Sequence, residues 1–269
     1  MDLVRALITA SVLLVTTGAR ATEGRGPIYR PDKVTREDEL GGTHFRFETW
    51  NGPVHVWRPP RYVGARAGVV VYVHGYYIDV DRAWRDHRLA EQFAASGLNA
   101  LFIAPEAPTA VGQPVLWPGL GTLFVEIEKH LDLEVPRGPL VAIGHSGAYR
   151  TLVTWLDYRP LERIILLDAL YDYSEEFQAW LTERGRRAAR RRLTLVVGRT
   201  TLEESKRLVT ELRRMAVSLP EIPARADELA RRQKKARLLE VRSQYGHFEL
   251  VTEGKAIPIL LGATSLPRR

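Results

Sequence analysis

The sequence predicts an α/β fold, in which a mostly parallel central sheet carries helices on both faces and follows an N-terminal antiparallel hairpin. Continuous apolar runs such as "GVVVYV" from Gly68 and "LVAI" from Leu140 are typical of strands buried on both faces. Helical segments separate these runs, and strands that alternate with helices form a parallel sheet. The 269-residue chain has no internal repeat or obvious linker, so a single domain is expected over residues 43–269.

The hairpin is predicted at the start of this domain. Two alternating runs, "HFRFETW" and "VHVWRP", flank the dipeptide Asn51-Gly52, which is typical of a tight turn between antiparallel strands. The preceding residues 22–42 are polar and contain Gly and Pro, so we expect a loose N-terminal segment there.

From Gly68 onward, strands and helices are predicted to alternate. The first helix begins at Asp79 or Asp81 and ends before Gly97, because these residues are good caps. The stretches 171–192 and 202–236 are longer than simple crossovers, which predicts a lid or flap within 171–236. The predicted strands are "GVVVYVHG", "NALFIAP", "PLVAIG", "RIILLD", "LTLVVG" and "ARLLEVRS", and the longest predicted helices are "DVDRAWRDHRLAEQFAASG" and "SEEFQAWLTERGRRAARRR".

The first 21 residues are typical of a secretory signal peptide. Arg5 precedes an apolar run over 6–15, and "ARA" at 19–21 has the form of a cleavage site, with cleavage expected after Ala21. The apolar run is shorter than the roughly 20 residues that a membrane-spanning helix needs. We therefore expect an exported protein, either periplasmic or secreted.

Composition excludes several classes of site. The chain has no cysteine, so disulfides, thiolate metal sites and a cysteine nucleophile are absent. The net charge of +7 comes mainly from basic clusters at 184–192 and 231–237. No aromatic residues interleave with these clusters, so nucleic-acid binding is not expected. Peripheral contact with an anionic surface is compatible with them.

The stretch "GHSGA", Gly144 to Ala148, lies between a predicted strand and a predicted helix. A serine there, Ser146, stands at a turn where Gly144 and Gly147 supply backbone freedom. A serine hydroxyl becomes nucleophilic only with a base, a group that orients the base, and donors for the oxyanion. A glycine-rich turn without chemistry explains the motif equally well, so the motif alone does not decide.

The order of three motifs resembles the α/β-hydrolase family. "HGYY" follows the first long strand, "GHSGA" the third, and "YGHF" the last, over residues 68–261. The resemblance implies that Ser146 is the nucleophile and that His247 is the general base and acid. It also implies an oxyanion site formed by the backbone amide of Gly147 and that of Tyr76 or Tyr77. His74 is expected to be a structural hydrogen-bonding residue.

The acid of this machinery is the most open assignment. The family most often places it after the strand "LTLVVG", where this chain has Thr201 instead of an aspartate. Pancreatic-type lipases, which share the fold, place it one strand earlier, and that arrangement implies Asp168 at the end of "RIILLD". Asp168 is therefore the first candidate, Glu203 or Glu204 the second, and Asp172 or no acid the third.

Together these features predict an exported serine hydrolase that cleaves a carboxylic ester, thioester or amide of a small or envelope-derived acyl substrate. The alternatives are a peptidase or amidase acting on envelope material, and a non-catalytic binding protein of the same fold. No cofactor is implied. No metal site is predicted either, because His44 and His55 on the hairpin are too far along the sequence from other ligands.

Overall fold

The computed structural model describes residues 33–269, so the predicted signal peptide and most of the loose segment lie outside the described residues. Within this range, ten strands form one sheet and nine α-helices surround it. The strands are β1 (Val34–Glu39), β2 (Gly42–Phe47), β3 (Val54–Arg58), β4 (Gly68–Val73), β5 (Ala100–Pro105), β6 (Leu140–His145), β7 (Leu161–Leu167), β8 (Arg192–Val197), β9 (Ala216–Leu219) and β10 (Leu238–Arg242). The helices are α1 (Val80–Asp86), α2 (Leu89–Ser96), α3 (Leu120–His130), α4 (Tyr149–Val153), α5 (Ser174–Thr182), α6 (Leu202–Glu211), α7 (Arg231–Lys235), α8 (Glu249–Thr252) and α9 (Ala256–Leu261).

The sheet has the strand order β1-β2-β3-β5-β4-β6-β7-β8-β10-β9. β1, β2 and β3 are antiparallel, and β3 joins β5 in antiparallel register, whereas all pairings from β5 to β9 are parallel. The predicted hairpin is confirmed: Phe47 of β2 pairs with Val54 of β3. Thr49 and Gly52 close its turn with two backbone hydrogen bonds of 3.2 Å. The mostly parallel central sheet is confirmed as well.

Both faces of the sheet are covered by apolar side chains. β4, β5 and β6 are buried at every position, which explains why they appear in the sequence as unbroken apolar runs. One apolar layer contains Trp117, Trp155 and Phe177, and the opposite layer contains Trp57 and Phe93. The central strands are thus fixed from both sides, and their ends are held in place for the loops that follow them.

Two of the predicted helices are shorter than expected. The segment predicted as one helix over 79–97 divides into α1 and α2, because Arg88 adopts a left-handed conformation with φ 51°. The capping predictions hold: Asp79 accepts a hydrogen bond from the Arg82 amide at 2.7 Å, and Gly97 ends α2 with φ 66°. α5 ends at Thr182 rather than near 192, since Gly185 has φ 133° and interrupts the helix.

Two strands are absent from the sequence prediction, and both lie at an edge of the sheet. Residues 34–39, expected to belong to the loose segment 22–42, form β1 instead. Its first five residues are exposed, because β1 pairs only with β2, so the sequence shows no apolar pattern there. β9 is the opposite edge strand and pairs only with β10. The range 171–236, predicted to contain a lid, contributes both β8 and β9 to the sheet.

Among the described helices, none has the length and apolar character needed to cross a bilayer.

Candidate active site

The carboxyl ends of the parallel strands bring the motif residues to one edge of the sheet. His74 and Gly75 follow β4, Ser146 follows β6, Asp168 follows β7, and His247 lies in the loop after β10. Parallel strands end at the same edge, and open α/β sheets bind their ligands there. Residues separated by about a hundred positions in sequence can therefore meet at this edge.

Ser146 lies on a sharp turn between β6 and a short 3₁₀ segment that leads into α4. Its φ of 54° is in the left-handed region, a strained conformation for a residue with a side chain, and such strain is concentrated at functional sites. A Cβ at Gly75 would lie only 2.6 Å from the Cβ of Ser146, so the loop after β4 approaches this turn closely. Gly144 has the same role on the other side, where Leu152 and Ala148 approach it.

His247 and Asp168 are in direct contact. His247 Nδ1 lies 2.7 Å from Asp168 Oδ2. An ionised carboxylate can only accept hydrogen bonds, so Nδ1 carries the imidazole proton and Nε2 of the neutral ring keeps a lone pair. This tautomer is the one that a general base requires, with the lone pair on the nitrogen opposite the acid.

Asp168 is held ionised by a set of hydrogen-bond donors. Its Oδ1 accepts from the Gly198 amide at 3.1 Å and from Thr201 Oγ1 at 2.6 Å, and its Oδ2 accepts from Thr200 Oγ1 at 2.9 Å. Burial raises the pKa of Asp168, but the hydrogen bonds from His247, Thr201 and Thr200 outweigh it and hold the pKa at about 2. Thr201, which stands where the family usually has its acid, is therefore a donor to Asp168, the first candidate for the acid.

The other acid candidates lie elsewhere. Glu203 and Glu204 are in the first turn of α6, where they pair with Lys206 and Arg207 on the same helix. Asp172 accepts a hydrogen bond from the neighbouring Tyr173 amide at 2.8 Å. Among these carboxylates, the described structure brings only Asp168 into contact with the histidine ring.

The candidate oxyanion residues form a compact group beside Ser146. The Tyr76 ring covers Gly147 so tightly that a Cβ on this glycine would lie 2.6 Å from it. The amide of Tyr77 is already used, since it donates to the Thr109 carbonyl at 2.7 Å. In the described part of the chain, the Tyr76 amide has no backbone carbonyl as acceptor. Of the two amides implied by the resemblance, that of Tyr76 is the better placed to bind an oxyanion.

Comparison with known proteins shows which fold the described domain has. No family model matches the chain, and no curated protein matches its sequence. Solved structures do match: an S-formylglutathione hydrolase from Agrobacterium tumefaciens superposes with a TM-score of 0.53 and 12% identity, covering 86% of this chain and 98% of its own. An S-formylglutathione hydrolase from Staphylococcus aureus superposes with a TM-score of 0.52 and 11% identity, and the match covers 88% of this chain and 100% of that one. A Pyrobaculum calidifontis esterase superposes with a TM-score of 0.51 and 12% identity, and the match covers 88% of this chain and 85% of the esterase.

This chain has the α/β-hydrolase fold. The neighbours are covered almost from end to end, so the likeness concerns the whole described domain and not a local motif. At identities of 11–12% the likeness concerns the fold, and the chemistry has to be argued from the side chains of this chain.

Two residues at the edge of this α/β-hydrolase sheet were missed by sequence reasoning. The first is His145, whose Nε2 lies 2.9 Å from the His247 carbonyl and so donates to it. Burial, and then the proximity of His247 and His87, lower the pKa of His145 to about 3, so it stays neutral. His145 therefore holds the backbone of the histidine loop. Its position directly before Ser146 is the signal that could have identified it.

The second missed residue is Tyr171. Its hydroxyl lies 2.9 Å from Thr200 Oγ1, and because Thr200 gives its own proton to Asp168, Tyr171 is the donor of this bond. Burial raises the pKa of Tyr171, which keeps the phenol neutral. Ser146 also acts on the pKa of this phenol, lowering it, so the two side chains are neighbours. Tyr171 thus lies between Ser146 and the threonines that donate to Asp168.

His74 has the structural surroundings that the sequence predicts. The buried ring lies 2.7 Å from both Glu106 Oε1 and the Gly75 carbonyl, and it also meets the Ala107 amide at 3.1 Å. These contacts fix the turn after β4 against the loop after β5. Gly75 is thereby held close to Ser146.

Proposed function

We propose that this protein is a serine hydrolase that cleaves carboxylic esters, with Ser146 as nucleophile, His247 as general base and acid, and Asp168 as the orienting acid. The observation that supports this most directly is the 2.7 Å contact between His247 Nδ1 and Asp168 Oδ2, at the same sheet edge as the strained Ser146 turn. A buried, ionised aspartate on an imidazole, at the sheet edge that also carries a strained serine, is an arrangement suited to acyl transfer.

The proposed reaction proceeds through an acyl-enzyme. His247 Nε2 takes the Oγ proton as Ser146 attacks the carbonyl carbon, and the amides of Gly147 and Tyr76 bind the oxyanion. The imidazolium, stabilised by Asp168, then protonates the departing alcohol. Water attacks the acyl-enzyme with His247 again as base, and the acid leaves as Ser146 recovers its proton.

Exposed aromatic side chains around the site favour a substrate with an apolar group. Tyr77 is 77% exposed and Phe248 63% exposed, and the Phe248 ring packs on that of His247 with centroids 5.1 Å apart. Tyr171 is 39% exposed beside Ser146. Exposed clustered apolar rings are typical of ligand-binding surfaces. We infer that the acyl or alcohol part of a small or envelope-derived ester lies across them.

Fluorophosphonate labelling tests the proposal. The purified protein should be labelled and should hydrolyse p-nitrophenyl esters, whereas Ser146→Ala should do neither. Ser265→Ala is the matched control, since this exposed serine lies among the residues of a groove away from the site. Absence of labelling, or labelling that persists in Ser146→Ala, would contradict a serine hydrolase and favour a non-catalytic binding protein. A panel of short-chain esters, long-chain esters and a D-amino-acid peptide separates esterase from amidase activity.

We also propose export and peripheral contact with an anionic surface. The two basic clusters of the sequence meet in a groove of about 440 Å³, which Glu162 also lines. This groove lies at the amino ends of β7 and β8, opposite the edge that carries Ser146, so a surface bound there leaves the site open. Its basic lining residues are Arg163, Arg190, Arg192, Lys234 and Lys235.

Vesicle sedimentation and N-terminal sequencing test these two points. The protein should sediment with anionic vesicles at low salt and not with zwitterionic ones, and Lys234→Gln with Lys235→Gln should weaken this more than Lys129→Gln. Equal binding by all variants would contradict the groove as the contact. A mature chain recovered with Thr22 at its N-terminus would support export, and an intact Met1 in the cytoplasm would contradict it.

A further inference from the structure

Three potential metal ligands converge at the antiparallel edge of the sheet, five strands away from β6. His44 Nδ1 lies 2.8 Å from Glu37 Oε1 and 3.3 Å from Glu39 Oε2, and the three ligating atoms lie within 4.8 Å of one another. Glu37 is paired with His44 in the β1–β2 register, and Glu37 and Glu39 are on the same face of their strand. Sequence patterns do not reveal this cluster, because they predict a loose segment where β1 lies.

A chain of hydrogen bonds fixes which nitrogen of His44 carries a proton. Asp81 accepts two hydrogen bonds from Arg46, at 2.6 and 2.7 Å, and this pairing holds the pKa of Asp81 well below its usual range. The ionised Asp81 can only accept, so His55 Nε2 donates to it at 2.8 Å. His55 Nδ1 is then an acceptor, and His44 Nε2, 2.9 Å away, carries the proton that it accepts.

The 2.8 Å contact between His44 Nδ1 and Glu37 Oε1 therefore needs a positive charge between the two atoms. A proton on Nδ1 supplies it as a hydrogen bond, and a metal ion bound to Nδ1 and to the carboxylate oxygens of Glu37 and Glu39 supplies it equally. Within the described residues, Glu39 Oε2 is buried and makes no hydrogen bond of good geometry, and the indole N–H of Trp84 is the donor close to this carboxyl group. The Trp84 ring stacks on His44 at 4.5 Å with an interplanar angle of 4°, which holds the imidazole in this orientation.

We propose that Glu37, Glu39 and His44 bind one divalent cation of the zinc class. One imidazole nitrogen and two carboxylate oxygens are ligands that such ions accept, with a fourth position left for water. A tetrahedral ion with bonds of about 2.1 Å places its ligands about 3.4 Å apart, which the 3.3 Å separation already matches. The 2.8 Å separation between His44 Nδ1 and Glu37 Oε1 is too short for two ligands of one ion, so Glu37 has to move outward. Its side chain is 68% exposed and is free to do so.

The proposed ion would stabilise the edge of the sheet. It would join β1 to β2, while Asp81 and Trp84 of α1 orient the ligand His44 through His55 and through stacking. Outer hydrogen bonds of this kind fix the tautomer and direction of a ligating histidine. Because β1 and β2 are five and four strands away from β6, which leads to Ser146, this role is separate from the proposed hydrolysis.

Metal titration of the untagged full chain tests the proposal. After treatment with EDTA, calorimetry with Zn²⁺ and visible absorption with Co²⁺ should each report one ion per chain. Glu37→Gln and Glu39→Gln should each weaken binding by about tenfold or more. Asp38→Asn is the matched control, since it removes the same charge from the opposite face of β1 and should bind as the parent does. Zn²⁺ should also raise the Tm of the parent more than that of Glu39→Gln.

Three outcomes would overturn the proposal. The first is no saturable binding of either ion by the parent chain, which would mean that a proton and not a cation relieves the cluster. The second is binding unchanged in both Glu37→Gln and Glu39→Gln. The third is an equal loss in Asp38→Asn, which would indicate a non-specific charge effect. None of these readings depends on esterase activity, so they leave the hydrolase proposal untouched.

Discussion

Replacement of Asp168 by asparagine is the sharpest test of the candidate site. Asparagine keeps the shape of the side chain but turns one of its two acceptor oxygens into an NH₂ donor. Both oxygens of Asp168 face donors: His247 Nδ1 and Thr200 on Oδ2, and the Gly198 amide and Thr201 on Oδ1. Either orientation of the amide therefore places a donor against a donor.

The magnitude follows from these two orientations. With NH₂ toward His247, the imidazole must take its proton on Nε2, which leaves no lone pair for Ser146 and abolishes the base. With NH₂ toward Gly198, the correct tautomer is kept, but the buried amide donors are unpaired at a cost of about 1–3 kcal/mol. The carboxylate charge that stabilises the imidazolium is lost in both cases. A fall in kcat of about 10³- to 10⁴-fold is expected, comparable to the loss of about 10⁴ that the corresponding change causes in a serine protease, and equivalent to about 4–5.5 kcal/mol.

The assay is steady-state hydrolysis of a p-nitrophenyl ester together with the rate of fluorophosphonate labelling. Circular dichroism and denaturant unfolding check that Asp168→Asn is folded. Glu203→Gln and Glu204→Gln are the matched controls, because these carboxylates pair with Lys206 and Arg207 on α6 and should leave kcat unchanged. A folded Asp168→Asn with kcat close to that of the parent would refute the reasoning. A large loss in Glu203→Gln or Glu204→Gln would move the acid to α6.

Three further predictions concern packing and pH. A Cβ at Gly198 would lie 2.3 Å from Asp168 Oδ2, so Gly198→Ala should displace the acid and lower kcat, which ester hydrolysis measures. Gly147→Ala should lower kcat because its Cβ would meet the Tyr76 ring at 2.6 Å, and adding Tyr76→Ala should recover part of the loss in the same assay. The buried His145 has its pKa lowered from 6.5 to about 3, so between these values the unfolded chain binds a proton that the native chain excludes. Stability should therefore fall as pH falls below about 6.5, by about 2 kcal/mol between about pH 8 and about pH 5 for this group. Urea unfolding at both pH values should show a smaller difference for His145→Gln, and an unchanged difference would contradict the assignment.

The central strands and the order of the motifs could be predicted from sequence. β4, β5 and β6 are buried on both faces, so burial imposes an unbroken apolar run that is visible without a structure. β1 could not be found in this way. After Val34 it consists of polar residues, and it exists through backbone pairing with β2, which leaves no periodic signal in its side chains. The cluster around His44 was missed for the same reason, since two of its members lie on that strand.

The break between α1 and α2 escaped prediction for a tertiary reason. Its residues have acceptable helix propensity, but the His87 ring lies 2.7 Å from the Tyr72 hydroxyl of β4. The Gln92 side-chain amide donates to the His87 carbonyl at 2.7 Å, and this hydrogen bond holds the backbone in place at the bend. Contacts between residues far apart in sequence thus override the local preference.

If Asp168 is the orienting acid, as we propose, the loops after β7 and β8 have exchanged roles relative to the usual arrangement of the family. The loop after β8, where the family usually has the acid, supplies the Gly198 amide, Thr200 and Thr201 as donors to Asp168 after β7. Gly198 leaves the space that the carboxylate occupies, and Asp168 itself adopts φ 45° to reach it. Only the final position of the carboxylate beside the imidazole matters for catalysis, so a hydroxyl at 201 is not a defect of the site. It is one of the donors that hold the pKa of Asp168 at about 2, and the threonines therefore belong to the same functional unit as the acid.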